Sequence, residues 1–287
     1  MIADFEDCCR WMCVVVDELW ARLPASCRRG SGPAPACSDS ALPTLALVGE
    51  CRGWTTETAL LRRWAAYPRP VPVLPARSRF NRRRRQLRHA LNAIRQAVLA
   101  VLDIAPDRRC ASDRLPVPVL ACHLVPRAAG TDNWRAAGAD FGTVPTKKRT
   151  IFGDKLHLLV TLGGVIRDFV LAPAGASAVA VGAELLHEQG DLAVVGDKGY
   201  FSAPLAAEVR AGCGVALLTV PRRNQRPQPH AAVARALNGA RQIIATVNDQ
   251  LAAQFGIARH QAQTFQGVCA RLHAKLAAHT RCIYPDC

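Results

Sequence analysis

No Cys-x2-Cys pair occurs among the 12 cysteines of this 287-residue chain, so the ligand spacing of a zinc finger or zinc ribbon is missing. Cys8, Cys9 and Cys13 cluster near the N-terminus and the remaining cysteines are scattered singly, which reads as reduced thiols of a cytosolic protein acting as small hydrophobes. Also missing is an apolar run of the ~18–20 residues that a membrane span needs. Asp4, Glu6, Asp7, Arg10, Asp17 and Glu18 interrupt the N-terminal stretch, so it does not read as a signal peptide. No internal repeat is apparent. Acids are scarce: 22 Asp and Glu stand against 37 Lys and Arg, a formal net charge of +15. A surplus of that size favours a polyanionic partner, nucleic acid first and an acidic membrane surface second. Half of the residues are hydrophobic, and the length suffices for one large domain or two modest ones with a real core.

The first hundred residues read as helical. A helix over 2–23 ends at Pro24, and the Gly-, Pro- and Ser-rich stretch 26–40 reads as a loop. A second helix starts at Ser38 or Asp39 and tolerates Pro43 in its first turn before ending near Glu50. A third covers 56–66 and stops before the Pro-rich break 68–75. In the fourth, over 78–102, Phe80, Leu87, Leu91, Ile94, Val98 and Leu102 recur at helical spacing. Arg79, Arg82, Arg83, Arg84, Arg85 and Arg88 crowd its first three turns. Cations there oppose the helix macrodipole, so groups outside the helix must balance them. DNA phosphates would do so, and a solvated basic face is the alternative reading.

From Asp107 the pattern changes to strands over 112–120, 155–162, 165–171, 192–195 and 215–220, with Gly163-Gly164 as a hairpin turn. Helices over 178–188 and 203–211 connect the later strands. The expectation is an α/β fold: a mixed five-stranded sheet flanked by helices, preceded by an all-helical N-terminal domain, with the division at 1–106 and 107–287.

In the stretch Leu192-Ala193-Val194-Val195-Gly196-Asp197-Lys198-Gly199-Tyr200, an apolar strand stops abruptly at an acid. Open α/β sheets gather ligands at that edge, although an Asp-Lys-Gly turn is an equally open reading. Asp113 lies in the first strand. If the first and fourth strands are neighbours, the carboxylates of Asp113 and Asp197 converge, and two hard oxygen donors in a basic protein suit Mg²⁺ or Mn²⁺. A pair of such ions roughly 3.5–4 Å apart activates a hydroxyl and stabilises the departing oxygen of a phosphodiester.

These residues resemble bacterial insertion-sequence DDE transposases. Asp113-Arg114-Leu115-Pro116-Val117-Pro118-Val119 is similar to their first-aspartate motif, and Lys147 to Leu158 (KKRTIFGDKLHL) to their basic Gly-x-Lys-x-His-Leu strand. Asp197-Lys198-Gly199-Tyr200 matches the sequence around their second aspartate. Further matches are Asp39-Ser40 with Leu45 to Glu50, Ser78 to Arg83 (SRFNRR), and Leu272 to Thr280 (LHAKLAAHT). The resemblance implies a ribonuclease-H-like catalytic fold and metal-dependent cleavage and transfer of DNA strands at element ends, with Asp113 and Asp197 as catalytic metal ligands. It further implies double-stranded DNA partners (terminal inverted repeats and target), a homo-oligomer on DNA, no membrane, and a bacterial cytoplasmic location at the nucleoid.

The match fails at one place. The family's third acid is a glutamate on a helix near the C-terminus, and this chain has Ala245 in Arg241-Gln242-Ile243-Ile244-Ala245-Thr246-Val247-Asn248-Asp249-Gln250-Leu251. A methyl group coordinates nothing, so activity is expected to be impaired, and a catalytically inactive DNA-binding protein derived from a transposase is the alternative. After Glu208 only Asp249 and Asp286 remain as acids. Asp249 lies one turn beyond Ala245 and replaces the glutamate only with a one-turn register shift. Lys198 reads as a phosphate contact or a turn lysine. Arg241 reads as a phosphate contact, as do Arg79, Arg82, Arg83, Arg84 and Arg85 for DNA, and Arg222, Arg223 and Arg226 for a DNA-contacting loop. His123 and His157 read as core or hydrogen-bonded histidines, and Tyr200 and Phe201 as packing residues.

Overall fold

A computed structural model describes residues 5–27, 35–68, 70–104, 106–145, 148–196, 202–219 and 229–283. The chain forms two compact units, one of residues 1–102 and 251–287 and the other of 103–250.

The first unit is helical: α1 (Phe5–Arg22), α2 (Ala41–Cys51), α3 (Glu57–Trp64), α4 (Arg77–Gln86), α5 (Arg88–Val101) and α10 (Phe265–Ile283). The expected C-terminal segment 107–287 is thus divided by packing, because α10 packs against α2 and α5. α2 is buried from Leu42 through Glu50, as an apolar helix covered on several sides must be. Its first N–H is met by Ser38 Oγ at 3.1 Å, and Pro43 fits its opening turn. Thr56 caps α3 by accepting from Ala59 N at 3.1 Å. The core of this unit includes Trp64, Phe80, Leu91 and Ile94, with Trp54 edge-on to Trp64 at 6.5 Å. The helix expected over 78–102 is two helices, broken at Leu87 (φ −88°, ψ 15°). A single non-helical residue leaves the three- and four-residue apolar spacing almost intact, so the sequence pattern runs through the break unmarked.

The second unit is a mixed sheet with helices, a ribonuclease-H-like α/β fold. Its strands are β1 (Arg109–Leu120), β2 (Asp140–Val144), β3 (Arg149–Thr161), β4 (Ile166–Pro173), β5 (Ala193–Gly196) and β6 (Ala216–Thr219). They lie in the order β2-β3-β1-β5-β6, with β4 also paired to β3. β3 runs antiparallel to β1 on one side, and on the other to β2 over 149–153 and to β4 over 154–160. β5 is parallel to both β1 and β6. Helices α6 (Thr131–Ala136), α7 (Ala178–His187), α8 (Ala203–Cys213) and α9 (Ala231–Ala253) complete the element order. Leu185, Leu186, Leu205 and Val209 of α7 and α8 cover Cys110, Leu159 and Val194 of the sheet.

Five strands were expected and six are found among the described residues. The additional β2 is short and largely exposed, and it pairs with an N-terminal extension of β3, so it lacks the alternating apolar signature that marks a strand in sequence. The expected hairpin turn after β3 is present, with Gly164 at φ +84°. At Gly153 (φ +147°) a Cβ would lie 2.5 Å from Val117 O, so β1 and β3 approach there only because the residue is glycine. Ten cysteines among the described residues form no disulfide. Among the described residues no helix is long and apolar enough to cross a membrane.

β3 buries three titratable groups in a row: Asp154, Lys155 and His157. Lys155 Nζ donates to Ala174 O at 2.6 Å, and burial, helped by Arg114, pushes its pKa down. Burial raises Asp154 to about 6 and lowers His157 to about 4. In the helical unit burial also lowers His273 and His279 to about 4. A histidine depressed in the folded state stabilises the fold above the unfolded pKa, and that stability is lost as pH falls through 6.5 toward 4. A carboxyl raised in the folded state has the opposite effect, so stability falls as pH rises from about 4 to about 6. Lowering the pH from 7 to 5 should remove about 2 kcal/mol for each of His273 and His279. In the sheet unit the loss at His157 should be largely offset by a gain of about 1.5 kcal/mol at Asp154. Segment-resolved hydrogen exchange at the two pH values is expected to show α10 losing more protection than β3. In the same assay, Asp154→Asn should stabilise β3 by about 2 kcal/mol at pH 7.

Candidate active site

The parallel ladder between β1 and β5 ends at Ser112 opposite Gly196. Asp113 is the next residue of β1, at the carboxyl end of adjacent parallel strands, while its other side stays in register with β3 opposite Leu158. Pro116 and Pro118 follow it. A proline fits a strand where its missing N–H faces away from the ladder, which here is the side of β1 away from β3.

α9 supplies the group that meets Asp113. Asn248 Nδ2 donates to Asp113 Oδ2 at 2.8 Å. Asn248 is only 9% exposed, and its Oδ1 is buried without a hydrogen-bond partner. Ala245, in the place of the expected third acid, is exposed one turn earlier, and Asp249 is exposed as well. The residue that reaches the carboxylate is therefore neither of the two that the motif singled out. Positions 245 and 248 are three apart on α9 and so share a helix face, and helical phase measured from Ala245 was the signal that could have found Asn248. Arg241 lies one further turn back and is exposed.

Beside the carboxylate a small cavity of about 150 Å³ is lined by Asp113, Arg114, Thr143, Pro145 and Lys155, among others. Arg114 and Lys155 bring two cationic residues to the lining of the same cavity. Ser112 Oγ, one residue before Asp113 in β1, is buried without a hydrogen-bond partner. His157, expected as a core histidine, is fully buried in β3.

Asp197, Lys198, Tyr200 and Phe201 lie outside the described residues, as do Arg222, Arg223 and Arg226. The described neighbour of Asp197 is Gly196, held opposite Ser112. Among the described residues no group of three or more His, Cys, Asp or Glu is placed to hold a metal ion. The donors that are present nevertheless suit a hard cation: a carboxylate from β1 and, from α9, a buried amide oxygen without a partner.

The basic run of α4 is divided by its surroundings. Arg79 and Arg82 are exposed and Arg85 is half-buried. Arg83 is ion-paired to Asp39, and Arg84 is buried with Nη2 3.5 Å from Glu50 Oε1. Acids of the same helical unit thus balance two of the arginines for which phosphates were expected. Burial, reinforced by Arg271, lowers Arg84 to about 10.

Residues 141–263 match a family model described as Transposase DDE domain. The match runs from β2 through α9 and takes in Asp197, Ala245 and Asn248, while Asp113 precedes it. No curated protein and no solved structure matches the chain. Residues 141–263, carried on the ribonuclease-H-like sheet, are thus similar to the DDE domain of transposases.

Proposed function

We propose that the protein is an insertion-sequence transposase that binds the terminal inverted repeats of its element and cleaves and transfers DNA strands there, with catalysis weakened at the third ligand position. The observation that carries this reading is the contact between Asp113 and Asn248, which sets α9 against the first acid at the turn next to Ala245. Asp113 and Asp197 would hold the Mg²⁺ or Mn²⁺, which when bound makes a water or a 3′-hydroxyl nucleophilic and stabilises the departing oxygen. Asn248 fixes the orientation of the Asp113 carboxylate through one N–H. Arg114 and the buried Lys155 line the cavity that Asp113 also lines and would add positive charge near a scissile phosphate. Lys198 and Arg241 would contact the flanking phosphates, and the exposed Arg79 and Arg82 the DNA of the element end. The protein would act as a homo-oligomer on DNA in the bacterial cytoplasm, at the nucleoid.

An exposed methyl group at 245 favours a second reading, a protein that occupies element ends without cutting them. Strand cleavage of a terminal-repeat duplex in Mg²⁺ separates the two. Ala245→Glu is expected to raise cleavage on the order of 100-fold, by restoring a carboxylate one turn from Asn248. Equal cleavage before and after the substitution would remove the proposed defect. Undiminished end binding with no cleavage in either form would establish the second reading.

The arginines make a separate prediction. Replacing exposed Arg79 and Arg82 together by alanine should weaken duplex binding for all sequences alike. It should also reduce the slope of log affinity against log salt by about 2. An unchanged slope in a fluorescence-anisotropy titration would take both residues off the DNA.

A further inference from the structure

The helical unit contains a second polar cavity, of about 530 Å³, that no part of the strand-transfer chemistry uses. It is bounded by α3, α4, the start of α10 and residues 261–264 before it. Arg77, Arg84, Arg85 and Arg271 line it against a single acid, Glu57.

That acid is already engaged. Glu57 Oε1 takes Arg271 Nη2 at 2.8 Å, and Oε2 takes Asn81 Nδ2 at 3.1 Å. Behind the wall, Glu50 takes Lys275 Nζ at 2.6 Å on one oxygen and faces Arg84 at 3.5 Å with the other. Two carboxylates therefore serve four arginines and a lysine. Arg84 is 6% exposed, and its Nε is buried with no hydrogen-bond acceptor. Arg77 and Arg85 are left at the opening, where Arg77 Nη1 makes only a long 3.4 Å contact to Thr58 Oγ1. An arrangement of this kind is completed by an anion, and guanidinium groups converging from two helices match phosphate.

The volume and the remaining lining narrow the ligand. The cavity falls in the roughly 300–1,000 Å³ range of small-molecule sites and is larger than a phosphate group requires. Gln261 and Gln263 supply side-chain amides, and an amide presents the paired donor and acceptor that read the edge of a base. Gln261 is held at φ +54°, a conformation unfavourable for a residue other than glycine that persists only where the surroundings impose it.

We propose that this cavity binds one nucleotide unit, its phosphate on Arg77, Arg84, Arg85 and Arg271 and its base edge on Gln261 and Gln263. The same chemistry is offered by a free mononucleotide and by an unpaired nucleotide of a DNA strand. The site is separate from Asp113 and makes no use of a metal.

Calorimetric titration of the full chain with deoxyadenosine 5′-monophosphate, inorganic phosphate, and a 5′-phosphorylated duplex with or without a short overhang tests it. Binding of the mononucleotide at least about tenfold more tightly than phosphate is expected. Arg77→Ala/Arg85→Ala should weaken it about tenfold, and Gln263→Ala should weaken it while leaving phosphate unaffected. Arg62→Ala, an exposed arginine of α3 outside the cavity, should have no effect. Binding confined to the overhang duplex, and lost in Arg77→Ala/Arg85→Ala, would assign the site to a strand nucleotide and support the proposal. Equal affinity for phosphate and mononucleotide would overturn the base contact. Unaltered binding of every probe in Arg77→Ala/Arg85→Ala, or no binding by any of them, would overturn the site.

Discussion

β1 holds two partners at once, and the sheet unit depends on that double pairing. Its antiparallel register with β3 runs nearly its full length, whereas its parallel register with β5 lasts only from Arg109 to Ser112. Among the described residues β1 pairs on that side only as far as Ser112, and Asp113 is the next residue, held by β3 on its other side. The β3 pairing keeps Asp113 within a strand, and α9 meets its carboxylate through Asn248. A shorter β1–β3 ladder would have left Asp113 on a loop.

The helical unit is organised by charge as much as by apolar packing. Glu50 and Glu57 are the acidic centres of a network that reaches Arg84, Arg271 and Lys275 across α2, α3, α4 and α10. Buried ion pairs cost desolvation and are tolerated where geometry and further hydrogen bonds are good. Here the extra bonds come from Asn81, Thr55 O and Phe255 O. The same network explains why the arginine run of α4 does not act as one basic face. Arg83 and Arg84 turn toward acids, and Arg79 and Arg82 turn toward solvent.

Much of the architecture was legible in the sequence because its signals are local. The apolar runs of β3, β5 and β6, the Gly163-Gly164 turn and the amphipathic stripe of α5 each specify their element without reference to the rest of the chain. β2 was not legible, since its pairing depends on where β3 begins rather than on its own pattern. The break at Leu87 was hidden because a change in ψ leaves residue spacing untouched. Of the site, Asp113 could be singled out from its strand and motif, and Ala245 from the missing acid. Asn248 carries no charge to mark it as a ligand, although it lies on the helix face that a glutamate at 245 would use. The partition of α4's arginines also required tertiary contacts, because residue type alone does not separate an arginine that binds a neighbour's carboxylate from one that meets solvent.

Pro116 and Pro118 bear on more than the shape of β1. An open strand edge with free N–H groups is a template on which another chain can add a strand, and long exposed edges invite such pairing. Past Ser112 the edge of β1 opposite β3 carries two residues with no N–H to offer. Strand addition there would be missing alternate hydrogen bonds from the outset. On the side of β1 where no described residue pairs beyond Ser112, the prolines thus withhold the N–H groups that self-association through β pairing would need.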